Sequence, residues 1–288
     1  VALNFVLDPL FILGWGPVPG MGVSGAALAT VITQGLAAIV GLAMLFSGGY
    51  GIRLVRAHLV PDFALIWRLL KLGLPAAVEQ STRALGLMLM TVLVAGFGTI
   101  TLAAYGIGTR MLSFVIIPAL GLSQASSALI GQNIGAQRID RAERTAWLSA
   151  AIGFVLLSLV GVVSFVFARP IVTLFVPDAP AVIETGSLFV RITALAYGVV
   201  GAQIVLTGAF RGSGNTLIAM AIALVSQWML QFPLAWLLAE RSGLGATGIW
   251  IAYPIQNVLT ALIVVIWFAR GTWKHRNVIE EPAPESAV

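Results

Sequence analysis

Two carboxylates set among apolar residues are the side chains of this sequence best placed to do chemistry. Asp8 lies in the stretch LNFVLDPLFI, four residues after Asn4, so on a helix the two side chains share a face. A carboxylate inside a membrane is costly unless it faces a cavity, a cation or a proton, which makes Asp8 a candidate ion carrier and Asn4 its orienting partner. The alternative is that Asp8 stabilises a helix end ahead of Pro9. The second carboxylate, Glu79, precedes Arg83 by four residues, the favourable order for a helical ion pair. At 1.5 Å per residue Arg83 lies about 18 Å past Lys71, where its apolar segment starts. Arg110 enters from the other side to a similar depth, so Glu79 can bridge to either arginine. Mutual neutralisation and a role in handling an ion or substrate both remain open for this cluster.

The elements that position these residues follow from composition. With 59% hydrophobic residues, 9% charged residues and a mean hydropathy of +1.00, the chain belongs in a bilayer, since soluble proteins carry about 25% charged residues. Windows of about 20 apolar residues divide it into a partial helix over 1–13 and complete spans near 23–47, 71–97, 101–130, 146–168, 186–209, 216–238 and 249–269. Arg53, Arg56, Arg68, Lys71, Arg138, Arg141, Arg144, Arg211, Arg270, Lys274 and Arg276 then fall on one side, which marks it as cytoplasmic. The opposite loops hold only Arg169 and Arg241, offset by Asp178, Glu184 and Glu240. The pattern predicts a multi-pass protein of the cell membrane, a bacterial inner or plasma membrane, with a cytoplasmic C-terminus. Residues 48–70, which end in Phe63, Leu65, Ile66 and Trp67 with Arg68 beside them, read as an interfacial amphipathic linker. The tail at 271–288, rich in Glu and Pro, is expected to be disordered.

An internal repeat divides the spans. Gly20, Gly22, Gly25, Ala29, Ile32, Leu36 and Ala38 recur at a constant offset of 223 as Gly243, Gly245, Gly248, Ala252, Ile255, Leu259 and Ala261. Duplicated helix bundles are typical of secondary transporters, whose sites lie between the repeats. Residues 1–47 would then close an N-terminal lobe, 48–70 link it, and 71–270 form a six-helix C-terminal lobe. Counterparts of the second lobe would begin about 155 residues before Val1, so the chain is expected to be the last part of a longer protein. Under the same offset Asn4 and Asp8 map onto Gln227 and Gln231, a polar pair without the charge.

Other chemistry finds no support in the composition. There are no cysteines and two histidines, His58 and His275, so disulfides, thiolate nucleophiles and common zinc patterns are excluded. No Gly-rich loop ends in Lys as nucleotide-driven coupling requires, and GQNIG at 131–135 reads as a helix stop. No nucleophile and base constellation supports an enzyme, and no cofactor is expected. The net charge of +5 is explained by topology, so nucleic acid is not an expected partner. Pro75, Pro118, Pro233 and Pro254 interrupt spans and should bend them.

LNFVLDPLFI, GVSGAALATVITQ, GLPAAVEQS, LAAYGIGTR, ALIGQNIGA and TGAFRGSGNT, in that order, resemble the multidrug and toxic compound extrusion (MATE) family from its fifth helix to its twelfth. The resemblance implies an all-α membrane protein of two lobes, each a six-helix repeat, here with a truncated first lobe and a complete second. It implies an antiporter that exports organic cations or amphiphilic compounds through a cleft between lobes, in exchange for H+ or Na+. Asn4 and Asp8 would belong to the cation-coupling site, with Na+ possible at Asp8, together with an acid on a first helix that lies outside this sequence. Glu79, Arg83, Arg110, Gln227 and Gln231 would form a polar cluster of the second lobe. Some members carry a further acid on helix ten, where this chain has Val200. The partners implied are small amphiphilic or cationic substrates and the lipid bilayer, with the protein a monomer. A lipid or lipid-linked oligosaccharide flippase of the same superfamily is the alternative; Arg83 and Arg110 leave it open and Glu79 argues against it.

Overall fold

The computed structural model describes residues 2–14, 19–49, 55 and 60–275, and among them every regular element is helical. The chain divides into two compact units, Val1–Trp67 and Arg68–Val288.

In the first unit α1 (Ala2–Leu13) and α2 (Val23–Ser47) pack as an antiparallel pair. Pro9 lies inside α1, so the amide that would have bonded the Phe5 carbonyl is missing. The pair meets where Gly25 crosses the end of α1, and a β-carbon there would collide with the Phe11 carbonyl. The turn is closed by the Met21 and Gly22 amides, which donate to Phe11 and Ile12 carbonyls at 2.9 and 3.2 Å.

α3 (Phe63–Ala95) is one helix of 33 residues. Asp62 starts it, its Oδ1 accepting from the Ala64 and Leu65 amides at 2.9 and 3.0 Å. The amphipathic stretch expected in the 48–70 linker is therefore the first turns of this helix, and the span expected to begin at 71 begins at 63. Nothing between Phe63 and Lys71 breaks a helix once Asp62 has capped it. Positions 50–54 and 56–59 of that linker, Arg53 and Arg56 included, lie outside the described residues.

The second unit continues with α4 (Thr99–Gly135), α5 (Ile139–Val166), α6 (Ala168–Phe175), α7 (Pro180–Ala194), α8 (Tyr197–Gly212), α9 (Thr216–Leu224), α10 (Phe232–Trp236) and α11 (Ala246–Ala269). Among the described residues α2, α4, α5, α11 and the continuous helical run Thr216–Arg241, which contains α9 and α10, are long and apolar enough to cross a membrane, and α7 with α8, bent by 53°, make a sixth span if taken together. α3 is also long enough, but the polar run Glu79-Gln80-Ser81-Thr82-Arg83 in its middle lowers its hydropathy. α3, α4 and α11 run through Pro75, Pro118 and Pro254, whereas the sharp break falls at Leu195–Ala196, which has no proline.

α8 is the axis of this unit and is buried along nearly its whole length. It runs parallel to α4 at very short range, because Gly208 lies against Ser123 and Gly212 against Ser127, the small-residue contact that lets membrane helices approach. Aromatic residues fill both ends of the core. Phe189 meets Trp250 edge-on at 4.7 Å at one end, and Phe268 stacks on Trp273 at 4.9 Å at the other. Trp273 is buried, its indole N–H donating to the Phe268 carbonyl at 3.1 Å, while Lys274 reaches Glu143 at 2.6 Å. Order thus extends past 270 to His275, and the tail expected to be disordered, at 276–288, is outside the described residues. GQNIG is a helix stop as read: Gln137 takes φ 58°, and the Arg138 amide closes the turn onto the Asn133 carbonyl at 2.8 Å.

The repeat is visible in the backbone. Gly22 has φ 56° and ψ −128°; Gly245 has φ 56° and ψ −136°. The Gly22 amide bonds the Ile12 carbonyl, and the Gly245 amide bonds the Ala239 carbonyl, both at 3.2 Å. Ile12 therefore matches Ala239, an offset of 227, because the turn into α2 is four residues longer than the turn into α11.

Candidate functional site

The two carboxylates lie in different units and have different neighbours. In the first unit Asn4 Nδ2 donates to Asp8 Oδ2 at 3.0 Å, as their spacing predicts. Asp8 is not at a helix end, since α1 continues through Pro9 to Leu13, so the capping alternative loses its basis. The other two oxygens, Asn4 Oδ1 and Asp8 Oδ1, are buried and accept no hydrogen bond among the described residues. Two orphaned acceptors on one helical face lack a donor or a cation, the partner that burial demands. On α2, the Thr30 and Thr33 hydroxyls turn to their own helix, donating to the Ala26 and Ala29 carbonyls at 3.0 and 2.8 Å.

In the second unit the buried face of α3 carries Pro75, Glu79, Thr82, Gly86, Met90 and Val94 at helical spacing. Glu79 is 1% exposed. Its Oε1 lies 3.2 Å from Arg83 Nη2 and 4.0 Å from Arg211 Nη1. Arg211 Nη2 also approaches Ser123 Oγ at 3.5 Å, and that hydroxyl donates to the Ile204 carbonyl at 2.9 Å. One acid thereby ties α3 to α8 and α4. Glu79 Oε2 accepts nothing among the described residues, and Ser126 Oγ on α4 and Gln203 Oε1 on α8 are likewise buried without partners.

Arg110 is not part of this cluster. It is exposed on α4 and forms no ion pair among the described residues. Thirteen residues separate it from Ser123, about 20 Å along a helix, so the acid, which shares Arg211 with Ser123, sits far from Arg110. The similar depth expected for the two arginines assumed a core of about 30 Å, whereas α4 is 37 residues long, about 55 Å from end to end.

Gln227 and Gln231 fall on a π-helical segment, Val225–Gln231, followed by α10 and a second π segment, Leu237–Arg241. Pro233 has no amide to offer a carbonyl one turn back, and widened turns are a common response within a membrane helix. Gln227 packs its side chain against Gly86, two turns along α3 from Glu79. No hydrogen bond joins either glutamine to Glu79 among the described residues. The corrected offset moves the counterpart of Asn4 to Gln231 and that of Asp8 to buried Ala235, one turn along the same face.

Two groups were missed in the sequence. Arg211 was assigned to a loop, although it stands in TGAFRGSGNT directly at the end of a span. Ser226, Gln256 and Thr260 form the second: Gln256 Nε2 donates to Ser226 Oγ and, at 3.0 Å, to Thr260 Oγ1, locking the π segment to α11. The signal was Gln256-Asn257 inside an otherwise apolar span. Val200, in the helix-ten position, is buried and apolar. No group of three or more His, Cys, Asp or Glu able to hold a metal occurs among the described residues.

A sequence model of the MatE family matches residues 75–237, from Pro75 on α3 to the second π segment. The probable multidrug resistance protein NorM of Thermotoga maritima is 28% identical over 96% of this chain and 59% of its own length. The FAD transporter of Shewanella oneidensis is 30% identical over 90% of this chain and 57% of its own. The chain thus spans about 60% of the length of the curated relatives it matches. Among solved structures, the Vibrio cholerae MATE transporter VcmN superposes with a TM-score of 0.85 at 23% identity, covering 96% of this chain and 61% of that one. A MOP superfamily transporter from Pyrococcus furiosus gives 0.87 at 22% identity, with 96% and 61% covered. These likenesses carry the fold, and the family model, which spans more than half of the sequence, carries the affiliation: this chain belongs to the MatE family.

Proposed function

We propose that this chain is part of a secondary active efflux antiporter of the cell membrane, C-terminus in the cytoplasm, in which Asp8 carries the coupling ion, H+ or Na+. The observation that carries the proposal is the pair of buried, orphaned oxygens on Asn4 and Asp8. A proton on Asp8 would turn one acceptor into a donor, and a sodium ion would accept lone pairs from both. Relatives named as probable multidrug resistance proteins support drug efflux, and the substrates we propose are organic cations or amphiphilic compounds. The test is export by the full-length protein from vesicles energised by a proton gradient or by a sodium gradient alone. Wild type should use one of them, and Asp8→Asn, which keeps shape but cannot ionise, should use neither. Gradient-driven export by Asp8→Asn at the wild-type rate overturns the assignment.

A second reading has one observation behind it. Arg83 and Arg211 outnumber Glu79 in the second unit, which favours an anionic amphiphile, and one relative is named as an FAD transporter. Competition between a flavin dinucleotide and an organic cation for the same export activity separates the two.

A further inference from the structure

The break between α7 and α8 opens a groove unconnected with either carboxylate. The chain bends by 53° there, and the Ala196 amide closes a tight turn onto the Thr193 carbonyl at 3.0 Å. Gly161 on α5 and Gly198 on α8 present no side chains to the corner, and a cavity of about 300 Å³ remains, walled by Ser158, Val162, Phe165, Val166, Ala194 and Leu195. That volume is at the small end for a ligand site. Apart from the Ser158 hydroxyl the wall side chains are apolar, and the groove opens beside Val162 and Leu195, which are 63% and 70% exposed.

Charge is arranged along one edge of it. Glu184, Leu188, Arg191 and Leu195 form the exposed face of α7, at helical spacing. Arg191 stands one turn from the groove, and Glu184 about 10 Å farther toward the α6 end. Among the described residues neither makes an ion pair. An arginine on the exposed face of an apolar helix, without a counter-ion among the described residues, is a site in search of an anion.

We propose that the groove holds an acyl chain of a phospholipid whose phosphate sits on Arg191 and whose headgroup ammonium faces Glu184. The occupant is an aminophospholipid of the leaflet at the α6 end. Groove, cation and acid follow one another along α7 in the order of chain, phosphate and amine along such a lipid. A fatty acid would leave Glu184 facing a second carboxylate, and an organic cation would meet Arg191 before it met Glu184.

The test is retention of lipid by the full-length protein in native mass spectrometry. The probes are phosphatidylethanolamine, phosphatidylglycerol and diacylglycerol with the same chains. Wild type should retain phosphatidylethanolamine at a concentration about tenfold below phosphatidylglycerol, roughly the weight of one charge-assisted contact. Arg191→Gln should weaken both phospholipids by about tenfold, and Glu184→Gln should abolish the preference between them. Val162→Trp, which fills the groove from its exposed wall, should reduce diacylglycerol as well. All three positions are exposed, so the variants are expected to fold. Equal retention of the two phospholipids by wild type, or unaltered retention by Arg191→Gln, overturns the proposal. Because the site uses neither Asp8 nor Glu79, failure of the ion-coupling test leaves it standing.

Discussion

Asp8 accepts a hydrogen bond from a neutral amide at 3.0 Å, whereas Glu79 lies between two guanidinium groups at 3.2 and 4.0 Å. Both acids have one buried oxygen without a partner, so burial alone does not distinguish them. Their counter-charges do. Beside Asn4 an arriving proton or sodium ion competes with no cation paired to Asp8 among the described residues, and the neighbouring Asn4 oxygen is also without a partner there. Beside Arg83 and Arg211 an arriving cation is repelled twice. Exchange chemistry fits the first acid, and cross-linking of helices fits the second.

The largest effect should come from exchanging acid for amide at each site and comparing the results. Asp8→Asn should bring coupled efflux to background while leaving the melting temperature in detergent unchanged or raised, since it removes an uncompensated acceptor charge. Glu79→Gln should do the reverse, with efflux retained and stability lost. Breaking a buried pair costs about 3–5 kcal/mol. Arg83 is 44% exposed and Arg211 30% at the side chain, so water can take up part of their charge and about 1–3 kcal/mol is expected here. Loss of ion dependence in Glu79→Gln at unchanged stability would erase the contrast and make Glu79 a second coupling site.

Rescue sharpens the same point at smaller scale. Once the acid is gone, the two arginines repel each other, and Arg211 keeps only the Ser123 contact at 3.5 Å. The triple variant Glu79→Gln, Arg83→Gln, Arg211→Gln should therefore recover stability to within about 1 kcal/mol of wild type, because removing all members of a buried charge group is often nearly neutral. A triple variant that melts below the single one would show that the arginines serve packing beyond charge.

How far these sites could be read beforehand varies with the physics. The Asn4–Asp8 contact was legible because it lies within one helix, where spacing alone decides which side chains meet. The reach of Arg211 to Glu79 crosses 132 positions and depends on how α3 and α8 are offset along their axes, which hydropathy does not encode. The 223-residue repeat was plain in the glycines of the second helix of each pair, but it could not show that the preceding turn differs by four residues. Prolines marked expected bends at Pro75, Pro118 and Pro254, yet the sharp break is at Leu195–Ala196. There Gly161 and Gly198 leave room for the backbone to turn.

The smallest effect is expected at Arg110, which the sequence placed with Glu79. It is exposed, stands about 20 Å along α4 from the serine that Arg211 reaches, and forms no ion pair among the described residues. Arg110→Gln should shift stability by no more than about 0.5 kcal/mol, the range of surface substitutions away from special contacts. Distant sites without shared partners add independently. Combining Arg110→Gln with Glu79→Gln should therefore give the sum of the single effects, whereas combining Arg211→Gln with Glu79→Gln should fall short of its sum. Thermal melts of the five single and double variants in one detergent decide this. A coupling of 1 kcal/mol or more between Arg110 and Glu79 would return Arg110 to the cluster, and with it the deeper placement of the acid that its apolar segment first suggested.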